Sequence, residues 1–447
     1  MGVVSQIDVA SKKQLIGVGV ASAVILLIAI IVGATGPNVY DSIEQSAYQC
    51  TNGSHIWDPE SCEGFQPAST PNAQWTTEIS NINQLTRFWA ISVTPYSNNL
   101  QNQTDLSLQL FVQVYGGQNN KPLYNTTTVA KIMCDTGYSE CTSFTLVDEE
   151  VLLYDQYIVS IGLLNGQNIV GDVVFTVWRA HEKFSSFEIA VHLSWMIISS
   201  VGIILYLFFM RKYVSTKWSL EQKFLFILLL SLVLSNNPFF GFQFISQSAF
   251  FPFINSLFAI LFLAAFSMYS LVILDRMRLE SVENHMGPGY LLKGLLVLLF
   301  SVLGTTLFTW INLRDRKDPI LGPATAVSGI QILFYFVTTS FVAILLWISM
   351  LVVMTAPTIA NRKFLIPKFL FTAAPISIYV ISLLAGIFAG TFGPLNPDAL
   401  STMYFTTLNN VFAMIIAYSY WPRESGNNTN NNANEEEQKL FGDDEQL

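Results

Sequence analysis

Residues 189–210 read IAVHLSWMIISSVGIILYLFFM, 22 positions without a single Asp, Glu, Lys or Arg. A helix of that length rises about 1.5 Å per residue and crosses roughly 30 Å of hydrocarbon. Six comparable runs follow, at 218–244, 253–274, 291–311, 330–354, 369–389 and 400–421. Seven consecutive spans predict an α-helical bundle in a bilayer. Composition agrees. Charged residues are 12% of the 447, where soluble domains carry about 25%, and 34 residues are Phe. A net charge of −9 argues against a nucleic-acid partner, which demands clustered Lys and Arg.

On the N-terminal side, residues 15–33 form a further apolar run preceded by Lys12 and Lys13. Small Ala34 and Gly36 also permit a cleaved signal peptide, but the run exceeds the about 7–15 residues of such a segment, which favours a retained signal anchor. The domain plan is then a cytosolic N-terminus (1–13), an anchor (14–36), a lumenal or extracellular domain (37–187), the seven-helix bundle (188–421) and a cytosolic tail (422–447).

Residues 37–187 have a different texture, with short alternating runs between turn residues. Leu106, Leu108, Leu110, Val112 and Val114 alternate with polar partners and end at Gly116-Gly117, as a half-buried strand does. Residues 158–163, a turn at Asn165-Gly166 and residues 173–178 predict a closing hairpin. Several such strands predict a β-sandwich. All four cysteines, Cys50, Cys62, Cys134 and Cys141, fall in this domain. Their confinement there points to an oxidising compartment and two disulfides. Three connectivities exist; Cys50–Cys62 and Cys134–Cys141 are favoured because each closes a short loop. Asn52, Asn102 and Asn125 open N-x-S/T acceptor sequons, which belong on the lumenal side.

Sidedness follows the positive residues. Lys12, Lys13, Arg211, Lys212, Lys217, Arg276, Arg278, Arg362, Lys363 and Lys368 fall on one side, the cytosol. Arg314, Arg316 and Lys317 disagree and are outnumbered. The tail is Asn-rich from Asn427 and acidic from Glu435, a composition that cannot bury a core. It either binds cytosolic sorting machinery or simply solvates the terminus.

Chemistry is scarce in the spans. His192, Glu221 and Asp275 lie at span ends, where charges ordinarily reach the interface. The four histidines show no pair at helical spacing, and no nucleophile elbow or phosphate loop occurs. No enzyme, cofactor or metal is expected. Two spans contain proline. In the second, Asn236-Asn237-Pro238-Phe239-Phe240 must carry the chain onward through a kink or unwound turn, with Asn236 and Asn237 placed to satisfy the carbonyl that Pro238 frees. Pro375 marks the other. Each break either lines a cavity or is a structural kink. Asn409-Asn410 in the last span are expected to bond between helices. The many Phe and Trp face lipid or pack between helices, and a pocket for an acyl chain would have the same composition.

The second span opens with Trp218 and Glu221-Gln222-Lys223 and ends on Asn237-Pro238-Phe239-Phe240. Gly36-Pro37 follow the anchor, Phe184-Ser185 and Glu188-Ile189 lead into the bundle, and Arg211-Lys212 leave its first helix. Together these residues resemble the Wntless-like family within the GOLD-domain seven-transmembrane proteins, and the Cys134/Cys141 hairpin resembles its transmembrane protein 181 branch. The resemblance covers nearly the whole chain except the Asn-rich tail. It implies a β-sandwich ectodomain on a receptor-like bundle that holds membrane lipid, or the lipid of a protein cargo, and escorts that cargo through the Golgi, endosomes or plasma membrane. The rival reading is a signalling receptor of G-protein-coupled type that binds a ligand through its ectodomain. Asp275-Arg276-Met277 imitates such a receptor's inner motif, but the last span has no N-P-x-x-Y and the outer loops of the bundle hold no cysteine.

Overall fold

The computed structural model describes residues 4–423 apart from 9, 67–73, 98–103, 135–139, 150–151, 166–169, 215–217, 247, 280–287, 316–327, 361–365 and 389–397. Asn102, the tail from residue 424 and several of the loop cations lie outside the described residues. The N-terminal pair β1 (Val4–Ser5) is joined antiparallel to β10 (Pro422–Arg423), which ties the start of the chain to the end of the bundle.

The anchor is helix α1 (Lys12–Ala34). Ser11 caps it, accepting from the Gln14 N–H while the Gln14 side chain accepts from the Ser11 N–H. Two donors that the helix leaves free are thereby satisfied. The helix is apolar on all sides, as a lipid-facing span should be. Its outer end packs on α8 (Ala399–Ser419), so closely that a Cβ at Gly33 would come within 2.7 Å of the Leu400 Cα.

The ectodomain is a sandwich of two four-stranded antiparallel sheets. One has the order β2 (Tyr40–Ser46), β9 (Val170–Ala180), β4 (Trp89–Ser97), β7 (Phe144–Glu149). The other runs β3 (Gln74–Ile79), β8 (Tyr157–Leu163), β5 (Thr104–Gly116), β6 (Lys121–Cys134). Between them lie Trp89, Ile91, Val93, Leu108, Leu110 and Phe175, all buried. A cavity between the sheets, lined by Val93, Leu108, Ile161 and Phe175, has about 10 Å³, room for one water at most. Bonds join Cys50 to Cys62 and Cys134 to Cys141.

One expectation fails here. Strands β8 and β9 do not form a hairpin: β8 pairs with β3 and β5, while β9 pairs with β2 and β4 in the opposite sheet. Both edges of each strand are taken, so the two belong to different sheets, and Gly166 of the expected turn lies outside the described residues. Alternation identifies the face that a strand buries and says nothing about its neighbour.

Seven helices form the bundle: α2 (Glu182–Met210), α3 (Leu220–Ser235), α4 (Phe250–Leu279), α5 (Pro288–Asp315), α6 (Ser328–Ala360), α7 (Ile366–Phe388) and α8. With α1 they make, among the described residues, eight helices long and apolar enough to cross a membrane. Helix α7 continues unbroken through Pro375. The sandwich meets the bundle where Arg87 Nη1 reaches Glu188 Oε2 at 2.7 Å, with the guanidinium also near the Phe244 ring.

Candidate lipid-facing groove

Helices α4 and α5 pack along their length: a Cβ at Gly294 would only just reach Met268, and one at Gly304, nearer the ectodomain, would meet Ile260 at 3.5 Å. Towards the ectodomain end, on the outer side of that contact, they border a shallow open groove of about 640 Å³. That volume falls within the range of small-molecule and lipid sites. Leu257 and Leu261 form the α4 wall; Val302, Thr305, Trp310 and Leu313 dominate the α5 wall. Ser301, Thr306 and Thr309 also line it, but each hydroxyl donates to a carbonyl of its own helix, those of Val297, Val302 and Thr305. Satisfied in this way, the hydroxyls leave a wall that is apolar to an incoming molecule. Among the described residues, no charged side chain lines the groove. Val302, Trp310 and Leu313 are exposed, so the groove opens sideways into the surrounding hydrocarbon. The arrangement suits an alkyl chain.

The break after α3 positions this groove without lining it. The helix ends at Ser235, Asn237 takes a left-handed φ of 48°, and a 3-10 turn covers Phe240–Phe244. The chain is therefore unwound at Pro238. Asn236 and Asn237 were expected to satisfy a carbonyl of their own helix; instead their amides bond to other helices. The Asn236 amide donates to the Trp195 carbonyl, Ser199 Oγ and Asn410 Oδ1, and accepts from Asn410 in return. Asn237 donates to Asn255 Oδ1 on α4, two residues before Leu257 of the groove. Phe240 stacks on His192 at 4.1 Å, and Phe239 is exposed. Asn410 does bond between helices, and Asn409 accepts from the Tyr379 hydroxyl.

The other motif sits at the inner end. Ser219 and Gln222 form a reciprocal cap on α3, and the Tyr206 hydroxyl donates to the Gln222 carbonyl. Trp218 Nε1 donates to the Tyr213 carbonyl, and Lys223 is exposed. Glu221 and Asp275 depart from expectation. They turn inwards and are buried. Glu221 pairs with Arg276 at 3.1 Å, and Asp275 pairs with Lys293 at 2.5 Å and with Arg278 at 2.9 Å. Burial is tolerable because each carboxylate has a cation beside it. Lys293 escaped the sequence reading, although a lone Lys within an apolar run is itself a signal of an internal partner.

In the ectodomain, Asn125 lies exposed on β6, and Asn52 is exposed within the Cys50–Cys62 loop, its side-chain oxygen accepting from the Ser54 N–H at 2.9 Å. The Asn52 Nδ2 donates to Ser61 Oγ at 3.5 Å. Among the described residues, no group of three or more His, Cys, Asp or Glu is placed to hold a metal ion.

Residues 181–424, the bundle and its inner strand, match the transmembrane domain that defines Wntless-like proteins. Human Transmembrane protein 181 is 24% identical over 430 residues, which cover 93% of this chain and 87% of the human one.

Proposed function

This chain belongs to the Wntless-like family of membrane proteins, and from that premise we propose that it is a trafficking receptor for secreted or membrane cargo carrying an acyl chain. The ectodomain holds the polypeptide, and the α4–α5 groove holds the chain. One observation carries this reading: an uncharged groove of about 640 Å³ that opens to hydrocarbon on the ectodomain's side of the bundle. An acyl chain attached to a lumenal polypeptide can slide in from the outer leaflet without crossing a polar barrier, and burial of each CH₂ is worth about 0.8 kcal/mol. The proposed setting is the secretory pathway and plasma membrane, with Asn52 and Asn125 glycosylated.

The test compares surface and secreted proteomes of cells with the protein, without it, and with only a Thr305→Phe, Thr309→Phe form whose groove is filled. A small set of proteins is expected to be trapped inside when the protein is absent and to stay trapped with the filled form. Unchanged export in both cases contradicts the proposal. The signalling reading then leads, and Arg276, held by Glu221 at the inner end, is the residue to assay for G-protein coupling.

A further inference from the structure

Every sheet in the ectodomain ends on an edge strand. Strand β2 is paired with β9 over seven residues without a register shift, and it contains no Lys, no Pro and no bulge. Those are the devices that ordinarily keep an edge from accepting another strand. Of the four edge strands, β3 also lacks Lys, Pro and a register shift, but it is shorter and exposes no large apolar side chain, which sets β2 apart. By contrast, the longer edge β6 carries Lys121, Lys131 and the Asn125 sequon, and β7 meets β4 through a bulge at Ile91/Ser92. Among the four edges, only β2 exposes large apolar side chains on both faces, Tyr40 at 48% and Ile43 at 60%.

Ile43 faces the wrong way for a solvent residue. It sits opposite Val177, a core residue, and so lies on the inner side of its sheet, yet no strand of the second sheet covers it. The outer edge also has a definite phase. The Val39 carbonyl and the Ala47 N–H both bond to the β9 side, so the alternate residues Ser42 and Glu44 direct their N–H and C=O groups away from the sheet. Just beyond the end of β2, Phe65 and Gly64 donate to the carbonyls of Ala47 and Tyr48. There the chain already lays an extended segment along this border, and a Cβ at Gly64 would clash at 2.0 Å with the Ala47 carbonyl.

We propose that the β2 edge is a docking site for an extended, Lys- or Arg-bearing segment of a protein partner, added as an antiparallel strand. The main-chain groups of Ser42 and Glu44 supply hydrogen bonds, and Ile43 and Tyr40 receive alternate apolar side chains. Charge selects the partner. Asp41 and Glu44 flank Ile43, and residues 37–187 hold fifteen Asp and Glu against five Lys and Arg. Five residues separate the end of α1 from the start of the strand, close to the membrane, so a segment laid on it is led towards the bundle. The inference deepens the trafficking reading by naming the chemistry of the cargo segment.

Binding is measured on the full chain in detergent or nanodiscs, with a fluorescent nine-residue peptide alternating Lys and Val. Controls are the same peptide N-methylated at alternate amides and one with Glu in place of Lys. The Lys peptide should bind, and both controls should bind at least about tenfold more weakly. Ser42→Pro removes an outward N–H while leaving the ladder to β9, and it should abolish binding with the thermal transition of the ectodomain unchanged. If Ser42→Pro unfolds the sandwich, Asp41→Lys with Glu44→Lys provides the second test, and should invert the preference between Lys and Glu peptides. Equal binding of the N-methylated peptide, or no response to either variant, overturns the proposal. So does a Ser42-dependent dimer of the chain that ignores peptide, since the edge would then be occupied by a second copy. Failure here leaves the export test untouched, whereas unchanged export with intact peptide binding removes the trafficking role and keeps the edge as a ligand site.

Discussion

The ectodomain and the bundle achieve order by opposite means. The sandwich hides apolar side chains from water, holds a cavity of about 10 Å³ between its sheets and adds two disulfides. The bundle has no cysteine and displays its apolar residues to lipid. Its specific contacts are polar ones: Asn236 with Asn410, Asn237 with Asn255, Asp275 with Lys293. Lipid gives no hydrophobic reason for helices to associate, so polar ties and close packing must hold them in register. It follows that a sealed core belongs to the water-exposed half and an open groove to the membrane half, where such a groove costs little because hydrocarbon can occupy it.

The strongest way to break this contrast is to remove the covalent part. Replacing Cys134 by Ser should destabilise the sandwich by about 2–3 kcal/mol, the range for a short loop, and leave Cys141 unpaired. Retention of the chain in the endoplasmic reticulum, read from glycan processing, is the expected outcome; normal processing would contradict it. Next in size, Lys293→Ala strips Asp275 of its closest cation. Arg278 remains, so the loss should be about 2 kcal/mol, below the about 3–5 for a wholly uncompensated buried charge. Thermal unfolding in detergent should show the bundle transition lowered and that of the ectodomain unmoved. Lys293→Met together with Asp275→Asn should recover most of the loss, as removal of both charges relieves the desolvation cost.

The smallest expected effect has the opposite sign. Burial raises the pKa of the Asp148 carboxyl, so keeping it ionised costs stability at neutral pH. A raised carboxyl pKa favours the fold below the ordinary carboxylate range, and that contribution is lost as pH rises through the folded value. Asp148→Asn should therefore raise the ectodomain transition at pH 7 by roughly 2 °C, and the gain should vanish in acid. A constant gain across pH would show that packing, not charge, is responsible.

Much of this architecture is legible in the sequence because a bilayer imposes a length. Apolar runs of about 20 residues can only be spans, and the structure has a helix at each one. Short loops between paired cysteines were equally plain. The connection between β8 and β9 was not, because both strands alternate in the same way whichever sheet they join. Nor could the direction of Glu221 and Asp275 be read, since a charge near a span end can turn towards water or towards a partner on another helix, and the partner Lys293 is 18 residues from Asp275. The groove was hidden for a related reason. Leu257, Leu261 and Thr305 are ordinary membrane residues, and what distinguishes them is that the fold brings them from two helices to one open groove. Of the two prolines, Pro238 lies in an unwound segment whose Asn237 bonds to Asn255 on α4, whereas Pro375 lies within an unbroken helix.

The most direct test of the account asks which surface of the bundle touches the acyl chain of a protein. Cells are fed a fatty acid bearing a photoactivatable group, which they attach to their own lipidated proteins, and the chain is purified after irradiation. The account predicts covalent adducts with a second polypeptide, attached at Leu257 or Leu261 on α4 or between residues 301 and 313 on α5, and lost when Thr305 and Thr309 are replaced by Phe. Two-polypeptide adducts spread equally over the lipid face of α1, or absent altogether, would contradict it.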